Sequence, residues 1–491
     1  MTIDSAPEID GAGLDALEAI LRRDLGFLNY PPPDWIPETR RADGRPVSDI
    51  VIVGGGMCGL VAAFALRRGG MPNFRILDRS PEGFEGPWET YARMETLRSP
   101  KQLLGPALGV ASLSFQAWYR AQFGTADWEE LFRIPRPMWM DYLRWYRRIL
   151  DLPVENGVEV RLIAPEADGL IRLDTSAGEV LARRVIMANG RDGLGGAVVP
   201  GFVDGLPRHR WAHSSDEIDF AALAGRRVVV IGVGASAVDN AATALEAGAA
   251  EVRHLARRKA MPTINKLMGI GSFGLVAGWP AMPPEWRWRF MTYAEAQQTP
   301  APRNSTQRVS RHPNAYFHFG CDIAAMRDSP DGVRITTRGG RSFETDFVIL
   351  GTGFEIDLAA RPEFGDAARE IALWEDRYTP PPEEANPGLG KYPWLAGDFS
   401  LTERTPGAAP FLTRIHAFNF GAALSLGKVS GDIPAVSEGA QWLAQGVAAA
   451  FWNDDVEKHW AVVQAYAKPE LLGDEWTDAD AVPAARAALR G

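Results

Sequence analysis

Cysteine is nearly missing from this chain: Cys58 and Cys321 are its only two, far apart in the sequence. Neither has a C-x-x-C partner, so a disulfide framework, a self-contained dithiol centre and a cysteine metal site are all excluded. Positive charge is not in excess either. A net charge of −10 argues against general nucleic-acid binding, which needs phosphate-neutralising surface. An uninterrupted apolar helix is missing as well. The uncharged stretch Leu267 to Pro284 holds four glycines and three prolines, which would break a membrane span, so it reads as a buried or lid-like loop. The opening MTIDSAPEID lacks the basic, apolar and small-residue succession of a signal peptide, and a cytoplasmic location is expected. What remains is ordinary for a soluble chain, 46% hydrophobic and 23% charged over 491 residues, enough for roughly three domain-sized units.

Glycine, by contrast, is concentrated where it counts. Asp49 to Val53 is a β-type apolar run that enters Gly54-Gly55-Gly56, and an amphipathic helix follows from about Met57 to Arg68. Gly54, Gly56 and Gly59 give G-x-G-x-x-G, for a tight turn, close approach to a pyrophosphate and helix–strand packing respectively. The helix N-terminus offers free N–H groups to phosphate. Asp78, followed by Arg79, closes the next strand, where a carboxylate accepts from ribose hydroxyls. Strand, loop, helix and acid together predict a dinucleotide site.

An echo of this unit occupies Arg226 to Lys259, with Gly232, Gly234, Ser236 and Ala237 forming G-x-G-x-x-A. Its second strand ends in Arg257, Arg258 and Lys259, where the first copy ends in Asp78. A carboxylate suits a free 2′-hydroxyl and arginine suits a 2′-phosphate. One site is therefore expected to take FAD or NAD and the other NADP. Asn189-Gly190 and Thr352-Gly353 follow two similar strands on either side of the echo, so the second nucleotide unit is predicted to be inserted in the first. The fold class is α/β, with two Rossmann-like domains, a helical N-terminal arm and a helical C-terminal tail. Expected boundaries are 1–47 for the arm, 48–215 and 341–434 for the first domain, 216–340 for the second and 435–491 for the tail. A lid-like insertion is expected at about 261–320, and the aromatic stripe of 113–150 reads as core.

The two nucleotide units, Gly351-Thr352-Gly353-Phe354, Gly86-Pro87-Trp88 and Ser99-Pro100-Lys101 resemble class B flavin-dependent monooxygenases, a group spanning flavin-containing, Baeyer–Villiger and N-hydroxylating enzymes. The likeness runs from about residue 48 to 430. The family's F-x-G-x-x-x-H falls at Pro207 to His213, where only His213, followed by Ser214, is kept. The resemblance implies FAD at the first site, with Gly86, Trp88, Asn189 and Gly190 beside it, and NADPH at the second. His213 and Ser214 read as linker or NADPH contacts. It implies insertion of one oxygen atom of O₂ into a small organic substrate through a flavin C4a-(hydro)peroxide, with neither nucleic-acid partner nor membrane span. Arg98 reads either as a catalytic cation or as a salt-bridged loop residue, and Lys101 as an alternative cation from the same loop. Flavin reductase or oxidase chemistry without oxygen insertion, and a non-catalytic redox sensor, are the competing classes.

Overall fold

The computed structural model describes residues 9–476. It divides into two units, residues 1–448 and 449–491. The first unit begins with helix α1 (Leu14–Phe27), whose buried face is Leu17, Leu21 and Leu25. Buried Glu18 accepts from Trp145 Nε1 at 3.1 Å and pairs with Arg148 at 2.5 Å. A carboxylate desolvated in this way persists because both hydrogen-bonding partners are supplied.

A seven-stranded sheet follows, built on β1 (Val47–Val53), β2 (Phe74–Asp78), β3 (Val154–Asn156), β4 (Val160–Pro165), β5 (Ile171–Thr175) and β6 (Gly178–Met187). Its order is β3-β2-β1-β6-β5-β4, and a late strand, β17 (Ile415–His416), pairs parallel with β6. The centre is parallel, with Val53 opposite Leu77 on one side and Met187 on the other. Such strands are covered on both faces, which is why Ile50, Val51 and Ile52 are apolar without alternation and fully buried. Helix α2 (Met57–Arg68) covers one face, with every residue from Met57 to Leu66 buried. Helices α3 (Phe115–Glu130) and α4 (Arg136–Ile149) hold the aromatic stripe. Trp118, Tyr119, Trp128, Trp139, Tyr142, Trp145 and Tyr146 are all buried. Tyr142 and Tyr146 donate their hydroxyls to the Leu113 and Pro106 carbonyls at 2.8 and 2.9 Å, so these rings are core with satisfied polar tips.

The chain leaves this sheet through β7 (Gly195–Ala197) and returns through β16 (Phe354–Ile356), which pair antiparallel. Between them lies a second, wholly parallel sheet of order β11-β10-β9-β15-β8. Its strands are β8 (Trp211–His213), β9 (Arg227–Ile231), β10 (Glu251–Ala256), β11 (Ala315–Phe319) and β15 (Phe347–Leu350). β12 (Ile323–Ser329), β13 (Gly332–Thr337) and β14 (Ser342–Thr345) form an antiparallel side sheet. The second sheet thus takes in β8 before residue 216 and β15 beyond residue 340, reaching past the expected boundaries at both ends. β15 is an apolar strand whose neighbours are β9 and β8, a pairing that sequence order does not disclose.

Helix α5 (Ala235–Glu246) follows β9. The segment after β10 contains α6 (Phe273–Gly278), α7 (Pro284–Gln297) and α8 (Arg303–Ser310). The uncharged stretch is not buried: of residues 267–284, Trp279 alone is buried, and Met268 and Phe273 are 73% and 78% exposed. α8 lies within the insertion expected at about 261–320. In the second unit, Trp452 stacks on His459 at 4.0 Å, and helix Val456–Ala465 has no buried residue. Of the expected tail, 477–491 lie outside the described residues. Among the described residues no helix is long and apolar enough to cross a membrane.

Candidate functional site: two nucleotide cradles and the loop between them

Both glycine loops sit at the carboxyl ends of parallel strands, where ligands bind in open α/β sheets. In the first, Gly54 adopts φ 109°, and a Cβ there would lie 2.5 Å from the Ala188 carbonyl oxygen. A Cβ on Gly59 would lie 1.9 Å from the Gly54 oxygen. These two glycines are required by the protein itself. Gly56 differs: its φ of −72° suits any residue, and an added Cβ would meet nothing nearer than Gly86 at 3.8 Å. The protein's own packing thus does not demand glycine at Gly56, which stands at the N-terminus of α2, where backbone N–H groups are available to a phosphate.

The second loop repeats the plan. Gly232, at φ 106°, faces the Gly351 oxygen, which a Cβ would approach to 2.8 Å, and Gly234 opens onto nothing nearer than Gln298 Nε2 at 4.0 Å. Ala237 replaces the third glycine because Gly351 stands opposite its methyl; a Cβ on Gly351 would lie 2.4 Å from the Ala237 Cβ. Ser236 is exposed in the first turn of α5, and its carbonyl accepts from Asn240 at 2.8 Å.

Asp78 is buried and accepts from the Gly55 and Ser80 N–H groups, each at 2.7 Å. It clasps the glycine loop to the end of β2 and keeps further lone pairs for a ribose hydroxyl; Arg79 beside it is exposed. Trp88 is half-buried, edge-on to Trp139 at 6.4 Å, so the aromatic core supports it. Asn189 accepts from Asn419 Nδ2 at 2.9 Å, and Asn419, fully buried, also donates to the Met187 carbonyl. Gly190 accepts from the Phe420 N–H at 3.4 Å.

Arg257 projects exposed beyond β10. Arg258, expected to share its role, donates to the Ala296 and Glu295 carbonyls at 3.0 and 3.4 Å. Its charge lies at the negative end of α7, a helix cap rather than a phosphate site. His213 and Ser214 belong to the crossing between domains. His213 donates from Nε2 to the Gly353 carbonyl at 3.1 Å and accepts the Ser215 hydroxyl at Nδ1, 2.6 Å away. Burial lowers its pKa, so it is neutral. The Ser214 N–H reaches the Leu350 carbonyl at 3.0 Å, and the Thr352 hydroxyl reaches the Val198 carbonyl at 2.5 Å. These contacts hold the crossing closed and account for His213 and Ser214 without a ligand.

The long loop after β2 carries both expected catalytic cations, and the fold separates them. The buried Lys101 ammonium donates to the Trp128 and Glu129 carbonyls at the end of α3, the latter at 3.1 Å, over the Trp128 ring. This placement does not fit a catalytic role. Arg98 is exposed and donates to the Pro300 carbonyl at 2.9 Å. Partial desolvation of its guanidinium, then the neighbouring Arg133, holds its pKa below the ordinary arginine range, while Asp432 opposes them. Asp432 did not stand out in the sequence. Its segment is carried to the start of α2, where Cys58 donates to the Ser430 carbonyl at 3.3 Å. The available signal was Gly431-Asp432 directly before the last long helix.

Residues 51–267 match the family model described as pyridine nucleotide-disulphide oxidoreductase. The FAD-dependent urate hydroxylase of Xanthomonas campestris pv. campestris is 39% identical over 456 residues, spanning 92% of this chain and 95% of that protein. The chain belongs to the class B flavin-dependent monooxygenases. It is an FAD-dependent oxidoreductase. Two solved structures share the fold of this monooxygenase at low identity. L-lysine 6-monooxygenase from Pseudomonas syringae has a TM-score of 0.64 at 19% identity, covering 82% of this chain and 99% of that one. The ornithine N-hydroxylase of Kutzneria sp. 744, in complex with reduced FAD, NADP⁺ and L-ornithine, has a TM-score of 0.63 at 16% identity, covering 82% and 100%. The monooxygenase has no dithiol to spend on disulfide chemistry. Cys58 and Cys321 are both free and buried, and burial, with Asp432 adding to it, pushes the Cys58 thiol up to about 12.

Proposed function

We propose that this monooxygenase hydroxylates a small, planar, nitrogen-rich ring of the urate type, by the net reaction urate + O₂ + NADPH + H⁺ giving hydroxylated urate, water and NADP⁺. The observation that carries this proposal is the 39% identity, sustained over 92% of the chain, to an FAD-dependent urate hydroxylase. Bound FAD, once reduced by NADPH, supplies the activation of O₂ at flavin C4a.

The chain's own groups bind and orient. Gly54, Gly56, Gly59 and Gly86 form the cradle for the FAD pyrophosphate, Asp78 and Arg79 flank its ribose, and Trp88, Asn189 and Gly190 line the approach to the flavin. Gly232, Gly234, Ser236 and Ala237 cradle the NADPH pyrophosphate, and Arg257 is the partner for its 2′-phosphate. Thr352 and Gly353, tied by His213, keep the two halves in register. Arg98 is the catalytic candidate. Its guanidinium lies where the loop of the FAD half meets the Pro300 carbonyl, and it suits both an anionic substrate and negative charge developing on oxygen.

The test is direct. The FAD-loaded protein is mixed with NADPH and air, and urate loss is followed by its ultraviolet absorbance beside O₂ uptake. Urate should accelerate NADPH oxidation and disappear in proportion to it, whereas ornithine and lysine should do neither. NADPH oxidation that urate leaves unchanged, with all O₂ recovered as hydrogen peroxide, would replace this proposal with an NADPH oxidase.

A further inference from the structure

The segment from Gln298 to Arg308 touches three places at once, and the order of its contacts is regular. Along the loop that carries Arg98, the bonded positions run Arg93, Thr96, Arg98. Along the segment they run Arg308, Asn304, Pro300. Arg308 Nη1 donates to the Arg93 carbonyl at 3.0 Å, Asn304 Nδ2 donates to the Thr96 hydroxyl at 3.1 Å, and Arg98 Nη1 donates to the Pro300 carbonyl at 2.9 Å. Arg308 and Asn304 are one turn apart on α8 and therefore share a face. The two strips lie antiparallel and are held by polar bonds.

The other side of Arg308 is fixed to α5. Its guanidinium makes a bidentate pair with Glu246 at 3.0 and 2.6 Å and lies 3.6 Å from Asp239, while its side chain is 6% exposed. Glu95 of the loop approaches it at 3.5 Å. α5 is the helix whose N-terminus forms the second glycine cradle. At the far end of the segment, Gln298 lies over that cradle, with Nε2 4.0 Å from the position of a Gly234 Cβ. Gln298 holds φ 59°, a left-handed conformation that a non-glycine residue adopts only where its surroundings impose it. A ligand at Gly234 must therefore meet Gln298, two residues before the carbonyl that holds Arg98.

We propose that residues 298–308 form a strap through which a nucleotide at the second cradle sets the position of the Arg98 loop in the first, with Arg308 as its positioning anchor. This rests on the assignment of NADPH to that cradle. The strap differs from a direct ligand: Asn304 and Thr96 touch neither cradle, and their removal should leave nucleotide affinity alone while uncoupling the two sites.

The experiment is a titration of the FAD-loaded full chain with NADP⁺, read by the visible flavin spectrum and, independently, by calorimetry. In the wild type NADP⁺ should perturb the flavin bands. Asn304→Ala and Thr96→Ala should each keep the Kd within about threefold, since no cradle contact is lost, yet halve the spectral amplitude or more. The double variant should be no worse than either single one, because both break the same bond. Arg308→Lys, which keeps the charge but not the fork, should lie between wild type and Arg308→Met; unchanged FAD content and melting temperature in the two milder variants separate positioning from misfolding. Full amplitude in Asn304→Ala and Thr96→Ala, or NADP⁺ binding by the wild type with a silent flavin, overturns the strap. Absence of any NADP⁺ binding by the wild type overturns the cofactor assignment beneath it.

Discussion

Replacing Gly56 and Gly59 one at a time by alanine separates a glycine kept for the ligand from one kept for the fold. Gly56 caps α2 at φ −72°, ψ −171°, a conformation open to alanine, and the new methyl would touch no protein atom closer than 3.8 Å. Alanine is a poorer N-cap than glycine by roughly 0.5–1 kcal/mol, but stiffening the unfolded chain returns about the same amount. The apoprotein's stability should therefore change by less than ~1 kcal/mol. The methyl does occupy the cradle. Displacing a phosphate from the N–H groups at the start of α2 removes charge-assisted bonds worth about 1.5–3 kcal/mol each, so losing one or two of them weakens FAD binding by about one to four decades. Gly59→Ala is the control: its Cβ would overlap the Gly54 carbonyl at 1.9 Å, and the helix must move off the strand at a cost of several kcal/mol. Urea unfolding of the apoproteins and the flavin absorbance of the purified variants measure both. Full flavin content in Gly56→Ala, or a destabilisation equal to that of Gly59→Ala, would refute the division of labour argued here.

Arg257→Ala should raise the KM for NADPH by roughly 10- to 100-fold, the worth of a charge-assisted phosphate contact, and leave that for NADH nearly unchanged; equal effects on both cofactors would remove the 2′-phosphate assignment. Cys58→Ser should hold turnover within about threefold, and iodoacetamide at pH 8 should leave Cys58 unmodified, because a buried thiol raised to about 12 has almost no thiolate there; inactivation by alkylation at Cys58 would reopen thiol chemistry. Lys101→Met should lower thermal stability more than it lowers kcat, since the ammonium caps α3. Acidification should destabilise the fold. Burial pushes His254 and His416 down to about 4 from an unfolded value of about 6.5. The native state then binds fewer protons than the unfolded one between these values, and stability is lost as pH falls through them. Asp239, raised by burial to about 6, works the opposite way and recovers part of the loss. From pH 7 to pH 5 the net loss is about 2–3 kcal/mol, and a urea midpoint that rises over this range would contradict the buried neutral histidines.

Much of the site was legible in one dimension because a nucleotide cradle is a local object. Strand, glycine loop, helix and terminal acid or base are contiguous, so Gly54 to Asp78 and Gly232 to Arg257 carry their chemistry in their spacing. Functions that depend on which surfaces meet were not legible. Lys101 and Arg98 are three positions apart on one loop, yet one closes a helix end and the other is exposed and reaches the Pro300 carbonyl. Arg257 and Arg258 are adjacent, yet only the second meets the carbonyls that end α7. β15 carries no mark of the sheet it joins. The segment of Asp432 meets the start of α2 through the Cys58 bond to the Ser430 carbonyl, 372 positions away. Thus the sequence by itself determined the family and the expectation of two nucleotide cradles of opposite charge, since those follow from backbone conformation and charge at fixed local spacings. Tertiary structure alone decided which cation is buried and which exposed, which polar residues merely hold the domain crossing, and how α8 joins the two halves. Those outcomes depend on contacts between residues from 27 to 215 positions apart, and no local preference encodes them.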